Sequence, residues 1–125
     1  MLVAEDNVVN RKVAVMILTS MGIRADVAAN GREVVEMMRI LPYDVVFMDC
    51  QMPEMNGYEA ATEIRRREGP GRHIAIIAMT AEVLAGTRER CLASGMDDYV
   101  PKPIQIGSVA DALKRWVPDS QVEPV

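Results

Sequence analysis

The chain has 125 residues, 50% of them hydrophobic, with 14 Lys and Arg against 18 Asp and Glu, a formal charge of −4 and a pI near 5.0. That is enough for one domain with one core, and the acidic balance excludes nucleic-acid binding through a basic surface. The longest apolar runs, at 13–18 and 74–79, fall far short of the about 20 residues that cross a bilayer, and no signal-peptide pattern opens the chain.

Leu2-Val3-Ala4 reads as a short first strand that ends in Glu5-Asp6-Asn7; it begins almost at Met1, as in a chain cut from something longer. The spacing then predicts a helix over 9–21. Asn10, Val13, Ala14, Ile17, Leu18 and Met21 take its inner face, and Gly22 stops it. Val8, Arg11, Lys12, Val15, Met16 and Thr19 are left pointing outward, three of them apolar where a solvated helix normally carries charge. Ile23, Ala25 and Val27 alternate with Arg24 and Asp26, as in an edge strand with one wet face. Asn30 can cap a second helix with Val34, Val35, Met38 and Leu41 inward and Pro42 at its end.

Val45-Val46-Phe47-Met48 is a continuous apolar run, the mark of a strand buried on both faces, and it stops at Asp49. A turn follows with Pro53 and the Asn56-Gly57 pair, then a helix over 58–67 that buries Ala61 and Ile64 and ends at Gly69-Pro70-Gly71. A second doubly buried strand, 74–79, ends in Thr80, and His73 in front of it is expected at the surface. A helix over 83–94 stops at Gly95, and Tyr99-Val100 is a short strand broken by Pro101-Lys102-Pro103. The last helix carries Val109, Ala112, Leu113 and Trp116 at i, i+3, i+4 and i+7, before a polar, proline-punctuated tail at 118–125. The order is βα five times over, which predicts one parallel sheet with helices on both faces, spanning 1–117.

In such sheets chemistry gathers beyond the carboxyl ends of the strands. The first strand delivers Glu5 and Asp6 there, the third Asp49, the fourth Thr80, and the loop after the fifth Lys102. Crowded carboxylates repel one another, and a hard cation such as Mg²⁺ relieves the repulsion. Thr80 adds a hydroxyl and Lys102 a point charge, which together suit the oxygens of a phosphoryl group placed on Asp49. Each residue also has an ordinary reading: Glu5 and Asp6 as a solvated turn, Lys102 as a loop lysine, Tyr99 as packing. The two cysteines, Cys50 and Cys91, form no C-x-x-C pair and read as reduced and inert, which points to a cytoplasmic setting; Met37, Met38, Met52 and Met55 read as fill.

The segments Leu2-Val3-Ala4-Glu5-Asp6-Asn7, Met48-Asp49-Cys50-Gln51-Met52-Pro53-Glu54-Met55-Asn56-Gly57, Met79-Thr80-Ala81 and Asp98-Tyr99-Val100-Pro101-Lys102-Pro103-Ile104 resemble the receiver domain of two-component response regulators. The match runs in order from Leu2 to about Trp116, and the forms around Asn10-Arg11 and Cys50-Gln51 resemble receivers of hybrid sensor histidine kinases in particular. The resemblance implies a single flavodoxin-like (βα)5 doubly wound sheet with strand order 2-1-3-4-5. It implies that Asp49 accepts a phosphoryl group from a phosphohistidine, that Glu5, Asp6, Asp49 and the carbonyl of Gln51 hold Mg²⁺, and that Thr80 and Lys102 bind the phosphoryl oxygens. Tyr99 would be the switch aromatic, and a cis Lys102–Pro103 bond is expected. The family's commonest pattern has Asp where Glu5 stands, which bears on metal affinity.

By the same resemblance the partner is a histidine phosphotransfer domain or a kinase dimerisation domain, docking on Val8, Arg11, Lys12, Val15 and Met16, with no nucleic acid or membrane contact. The domain then stands alone in the cytoplasm or forms the cytoplasmic part of a membrane-bound sensor kinase. Beyond Mg²⁺-dependent phosphorylation and dephosphorylation of Asp49, no enzyme activity is expected of it. The competing reading is a phosphorylation-independent docking module of the same fold, which predicts loss of Asp49 or Lys102; both are present. A flavin protein of this architecture would need a donor-rich loop where Glu5-Asp6 stands. An Asp-nucleophile phosphatase, by resemblance to that family, would usually carry a second Asp where Gln51 stands.

Overall fold

The computed structural model describes residues 1–69, 73–81 and 85–117. Within them, β1 (Leu2–Ala4), β2 (Asp26–Ala28), β3 (Val45–Asp49), β4 (Ala75–Thr80) and β5 (Asp98–Pro101) form one parallel sheet in the order β2-β1-β3-β4-β5. The helices are α1 (Val8–Ser20), α2 (Gly31–Ile40), α3 (Gly57–Arg67), α4 (Thr87–Ala93) and α5 (Ile106–Trp116).

Alternation along the central strands sorts their side chains into two cores. Leu2, Ala4, Val46, Met48, Ile76 and Ala78 meet Val34, Val35, Ala60, Ala61, Ile64 and Cys91 of α2, α3 and α4. Val3, Val45, Phe47, Ile77, Met79 and Val100 meet Ala14, Ile17, Leu18, Val109, Ala112 and Leu113 of α1 and α5. Ile76 and Ile77 are both fully buried, on opposite faces; each such side chain contributes about 1.5–3 kcal/mol. This is why β3 and β4 read as unbroken apolar runs.

Several expected positions differ. Asn10 and Val13 are exposed rather than inward, because the buried stripe of α1 is narrow: Ala14, Ile17 and Leu18, with Met21 just past its end. Val15, expected outward, is half-buried. Val27 is exposed and Ala28 buried, since β2 is paired on one side alone and the short strand begins at Asp26. Leu41 follows the last turn of α2 in extended backbone and is exposed. Trp116 is 38% exposed, its indole N–H donating to Asp98 at 3.0 Å instead of filling the core. The fourth helix begins at Thr87, after Gly86 at φ 96°, a left-handed conformation that does not continue a helix. The first two residues of its expected span, 83 and 84, and the tail at 118–125 lie outside the described residues.

Candidate functional site

Register brings the strand ends level: Ala4 stands opposite Met48, Asp49 opposite Met79, and Thr80 opposite Pro101. Backbone bonds then carry the ladder one residue further at three places. Glu5 N–H donates to Ala28 at 3.0 Å, Cys50 N–H to Met79 at 3.2 Å, and Lys102 N–H to Thr80 at 2.8 Å. Glu5, Asp49, Thr80 and Lys102 thus start from the sheet itself rather than from free loops, which limits their wander.

The β3–α3 loop is clamped over the site by two glycines. Gly57 N–H donates to Cys50 at 3.1 Å and Gly31 N–H to Met55 at 2.9 Å. A Cβ on Gly57 would stand 2.3 Å from the Asp49 carbonyl oxygen, and one on Gly31 would stand 2.4 Å from that of Met55. Only a residue without Cβ allows these approaches. Asn56 caps α3 in a reciprocal capping box with Glu59, and Asn7 caps α1 by accepting from Asn10 N–H at 3.0 Å.

Glu5, Asp6 and Asp49 each present a carboxylate oxygen within 4.8 Å of the others. Asp6 is exposed, whereas Glu5 is 1% and Asp49 5% exposed. The Lys102 ammonium lies 2.8 Å from Glu5 Oε1 and 2.9 Å from Asp49 Oδ2. Asp49 Oδ1 accepts from Gln51 N–H at 3.1 Å, and Glu5 Oε2 from Asn7 N–H at 3.3 Å. Glu5 Oε1 is fully buried and has no partner in hydrogen-bond geometry, Lys102 being near it by distance alone. Burial, then the Asp49 carboxylate, push the Glu5 carboxyl from 4.5 up to about 7 against the pull of Lys102. Burial pulls the Lys102 ammonium down, but Glu5 and Asp49 outweigh it and hold it above its ordinary value.

A buried acidic oxygen short of a donor, beside two more carboxylates, is a fit for a hard divalent cation. Thr80 is buried, and a cavity of about 360 Å³ over the site is lined by Asp6, Asn10, Asp49, Gln51, Thr80 and Lys102 among others. The Lys102–Pro103 peptide is cis, as expected.

The sequence model of the response regulator receiver domain matches residues 1–114. The chain belongs to that family. A hybrid signal transduction protein of Dictyostelium discoideum (dokA) is 40% identical over 93% of this receiver and 7% of its own length. A histidine kinase K of the same organism, also hybrid, is 36% identical over 96% of the chain and 10% of its own length. The receiver thus spans a small fraction of the curated relatives it matches. Among solved structures, the receiver domain of a Pseudomonas aeruginosa sensor histidine kinase, with magnesium coordinated in its active site cleft, is 42% identical; it has a TM-score of 0.84 and covers 94% of this chain and 96% of that one. The co-crystal of a Saccharomyces cerevisiae histidine phosphotransfer protein with the receiver domain of its downstream response regulator matches at 29% identity. Its TM-score is 0.83, over 92% of this chain and 86% of that one.

Of the other expected positions in the receiver, Gln51 is exposed at the mouth of the site and Tyr99 is half-buried, packed on the core beneath α2, α3 and α4. Tyr99 stands opposite Ala78 and lines a separate groove of about 500 Å³ with Arg88, Asp98 and Arg115, away from the carboxylates. Sequence reasoning put Asn10 in the core; it lines the site cavity. It also missed the stacking of Arg90, 4.3 Å over the Tyr58 ring, which joins residues on two helices with no shared periodicity to betray it. Among the described residues no helix is long and apolar enough to cross a membrane.

Proposed function

We propose that this receiver is the phosphoacceptor of a two-component phosphorelay, with Asp49 taking a phosphoryl group from a phosphohistidine. The observation that carries the reading is the convergence of buried Asp49 with Asp6, Thr80 and Lys102 at one cavity, with the buried Glu5 carboxylate within 4.8 Å of those of Asp6 and Asp49. An Asp49 carboxylate oxygen forms a bond to phosphorus as the phosphorus–nitrogen bond breaks, and that electron pair returns to the imidazole. Thr80 donates its hydroxyl to a phosphoryl oxygen, and Lys102 turns part of its charge from Glu5 to the incoming group. Glu5, Asp6, Asp49 and the Gln51 carbonyl would hold Mg²⁺, whose charge offsets the carboxylates and the phosphoryl oxygens when bound. Tyr99 is the candidate aromatic for the switch, residues 1–117 the domain, and 118–125 a tail or linker.

The donor fits on α1 beside the site. Val9 and Met16 are 68% and 70% exposed, and with Val13 they stand at i, i+4 and i+7. Val8 is exposed too, Lys12 and half-buried Arg11 are its polar neighbours, and Pro103 and Ile104 close a small cleft against Val13. Val15, half-buried, contributes less than its spacing implied. An apolar strip with a basic rim suits a helix of a histidine phosphotransfer domain or of a kinase dimerisation domain. The hybrid relatives support a larger cytoplasmic kinase chain as the setting.

The test is transfer from a phosphorylated histidine phosphotransfer domain. Val9→Glu with Met16→Glu should slow it about 10-fold while sparing labelling by acetyl phosphate, which needs no docking. Asp49→Ala should abolish both. Equal slowing of both reactions by the α1 pair, or transfer to Asp49→Ala, would contradict the reading.

A further inference from the structure

We propose that the cavity between the β3–α3 loop and α4 is a subsite for the carboxylate leaving group of small acyl phosphates, received by Arg90. The proposal rests on Asp49 being the phosphoacceptor and adds a residue that recognises the leaving group of such donors.

The cavity holds about 280 Å³ and is lined by Cys50, Gln51, Met52, Asn56, Tyr58, Thr80 and Arg90. Cys50, Gln51 and Thr80 also line the cavity over Asp49, so the two spaces are neighbours across the same three side chains. Their charge is opposite. The Asp49 cavity carries Asp6 and Asp49 against the single charge of Lys102, whereas the described lining of the second contains the Arg90 cation and no carboxylate. A divalent cation therefore belongs in the first and a small anion in the second.

Arg90 is prepared for that role. Arg90 is exposed, and its guanidinium carbon lies 4.3 Å over the centre of the Tyr58 ring, a cation–π contact that holds the charge beside the cavity while its N–H donors remain available to a planar oxyanion. Arg65, Arg66, Arg67 and Arg115 are each tied to a carboxylate, but among the described residues Arg90 has none within ion-pair distance. Its fork matches the two oxygens of a carboxylate.

The chemistry uses that match at the moment charge appears. An Asp49 oxygen bonds to phosphorus as the bond from phosphorus to the acyl oxygen breaks. The electron pair leaves on the acyl oxygen, so one carboxylate is released for each phosphoryl group transferred. Arg90 stabilises that developing anion, an effect on the transition state rather than on ground-state binding. Phosphoramidate leaves as ammonia and offers Arg90 no anion, and imidazole leaving from phosphohistidine offers none either.

The experiment is a rate comparison on the intact chain with Mg²⁺ at low ionic strength, following Asp49 labelling by mass. Arg90→Met should slow labelling by acetyl phosphate about 5-fold, as loss of a charge-assisted contact at a partly screened position would, and leave labelling by phosphoramidate unchanged. Arg90→Lys should recover part of the acetyl phosphate rate. Equal slowing with both donors, no slowing with either, or no recovery in Arg90→Lys would overturn the subsite. Wild type unlabelled by both donors would instead overturn the phosphoacceptor reading, so the two failures are distinguishable.

Discussion

Replacing Lys102 by Met removes the positive charge between two buried carboxylates and keeps the stem. Nζ lies 2.8 Å from Glu5 Oε1 and 2.9 Å from Asp49 Oδ2, and Lys102 itself is largely buried. At an effective dielectric near 20, each contact is worth about 6 kcal/mol of attraction before desolvation. Desolvation consumes much of that, and removal of one partner from a buried pair typically costs about 3–5 kcal/mol. One of the stranded carboxylates can take up a proton, which limits the loss to about 3 kcal/mol. For a chain of this size that lowers Tm by roughly 10 °C. Mg²⁺ should replace the missing charge and meet less competition in the variant. In urea unfolding followed by circular dichroism, the deficit should therefore be about 3 kcal/mol in EDTA and shrink to about 1 kcal/mol in excess Mg²⁺. Equal deficits with and without the ion would refute the idea that Lys102 and a metal share these carboxylates.

Other consequences follow from the same geometry. Gly57→Ala drives a methyl to 2.3 Å from the Asp49 carbonyl, a backbone atom that cannot yield without moving the acceptor. It should cost about 1–3 kcal/mol in chemical unfolding and slow Asp49 labelling along with it; normal labelling in a destabilised variant would mean that loop and acceptor are not coupled. Burial raises the Asp98 carboxyl, but Trp116 and Arg115 outweigh it and hold it below its ordinary 3.8. A depressed carboxyl adds stability above its unfolded value and loses it as pH falls through the folded one. The advantage of wild type over Asp98→Asn should be full at pH 6 and fade below pH 3.8, and a gap that stays constant down to pH 3 would contradict the assignment.

The strand ends were legible because a parallel sheet buried on both faces forces unbroken apolar runs, and Asp49 and Thr80 each stand where such a run stops. Glu5 and Asp6 follow the same rule after β1, and Lys102 stood out between two prolines. What the spacing missed depends on neighbours far away in the chain. Trp116 has the period of a core residue, but Asp98 offers its N–H a carboxylate at the edge of β5, and the indole goes there. Leu41 has the spacing of α2 but falls after the last turn. Val13 fits the inner stripe of α1 by period, yet α1 buries a narrow face and leaves Val13 to the surface beside Pro103. Asn10 was read inward for the same reason; it stands at the mouth of the Asp49 cavity, where polarity is an asset. The burial of Glu5 was also hidden, since one residue past a strand is usually wet, whereas here the ladder bond from Glu5 N–H to Ala28 continues the sheet by one residue.

The central claim is that Asp49 accepts a phosphoryl group in a site that needs a divalent cation. Intact-mass measurement after incubation with phosphoramidate tests it without any partner protein and independently of Arg90. One phosphoryl group should appear on the wild type in Mg²⁺, located to Asp49 by peptide mapping, and none in EDTA or in Asp49→Ala. Full labelling of Asp49→Ala, or labelling undiminished by EDTA, would contradict the account.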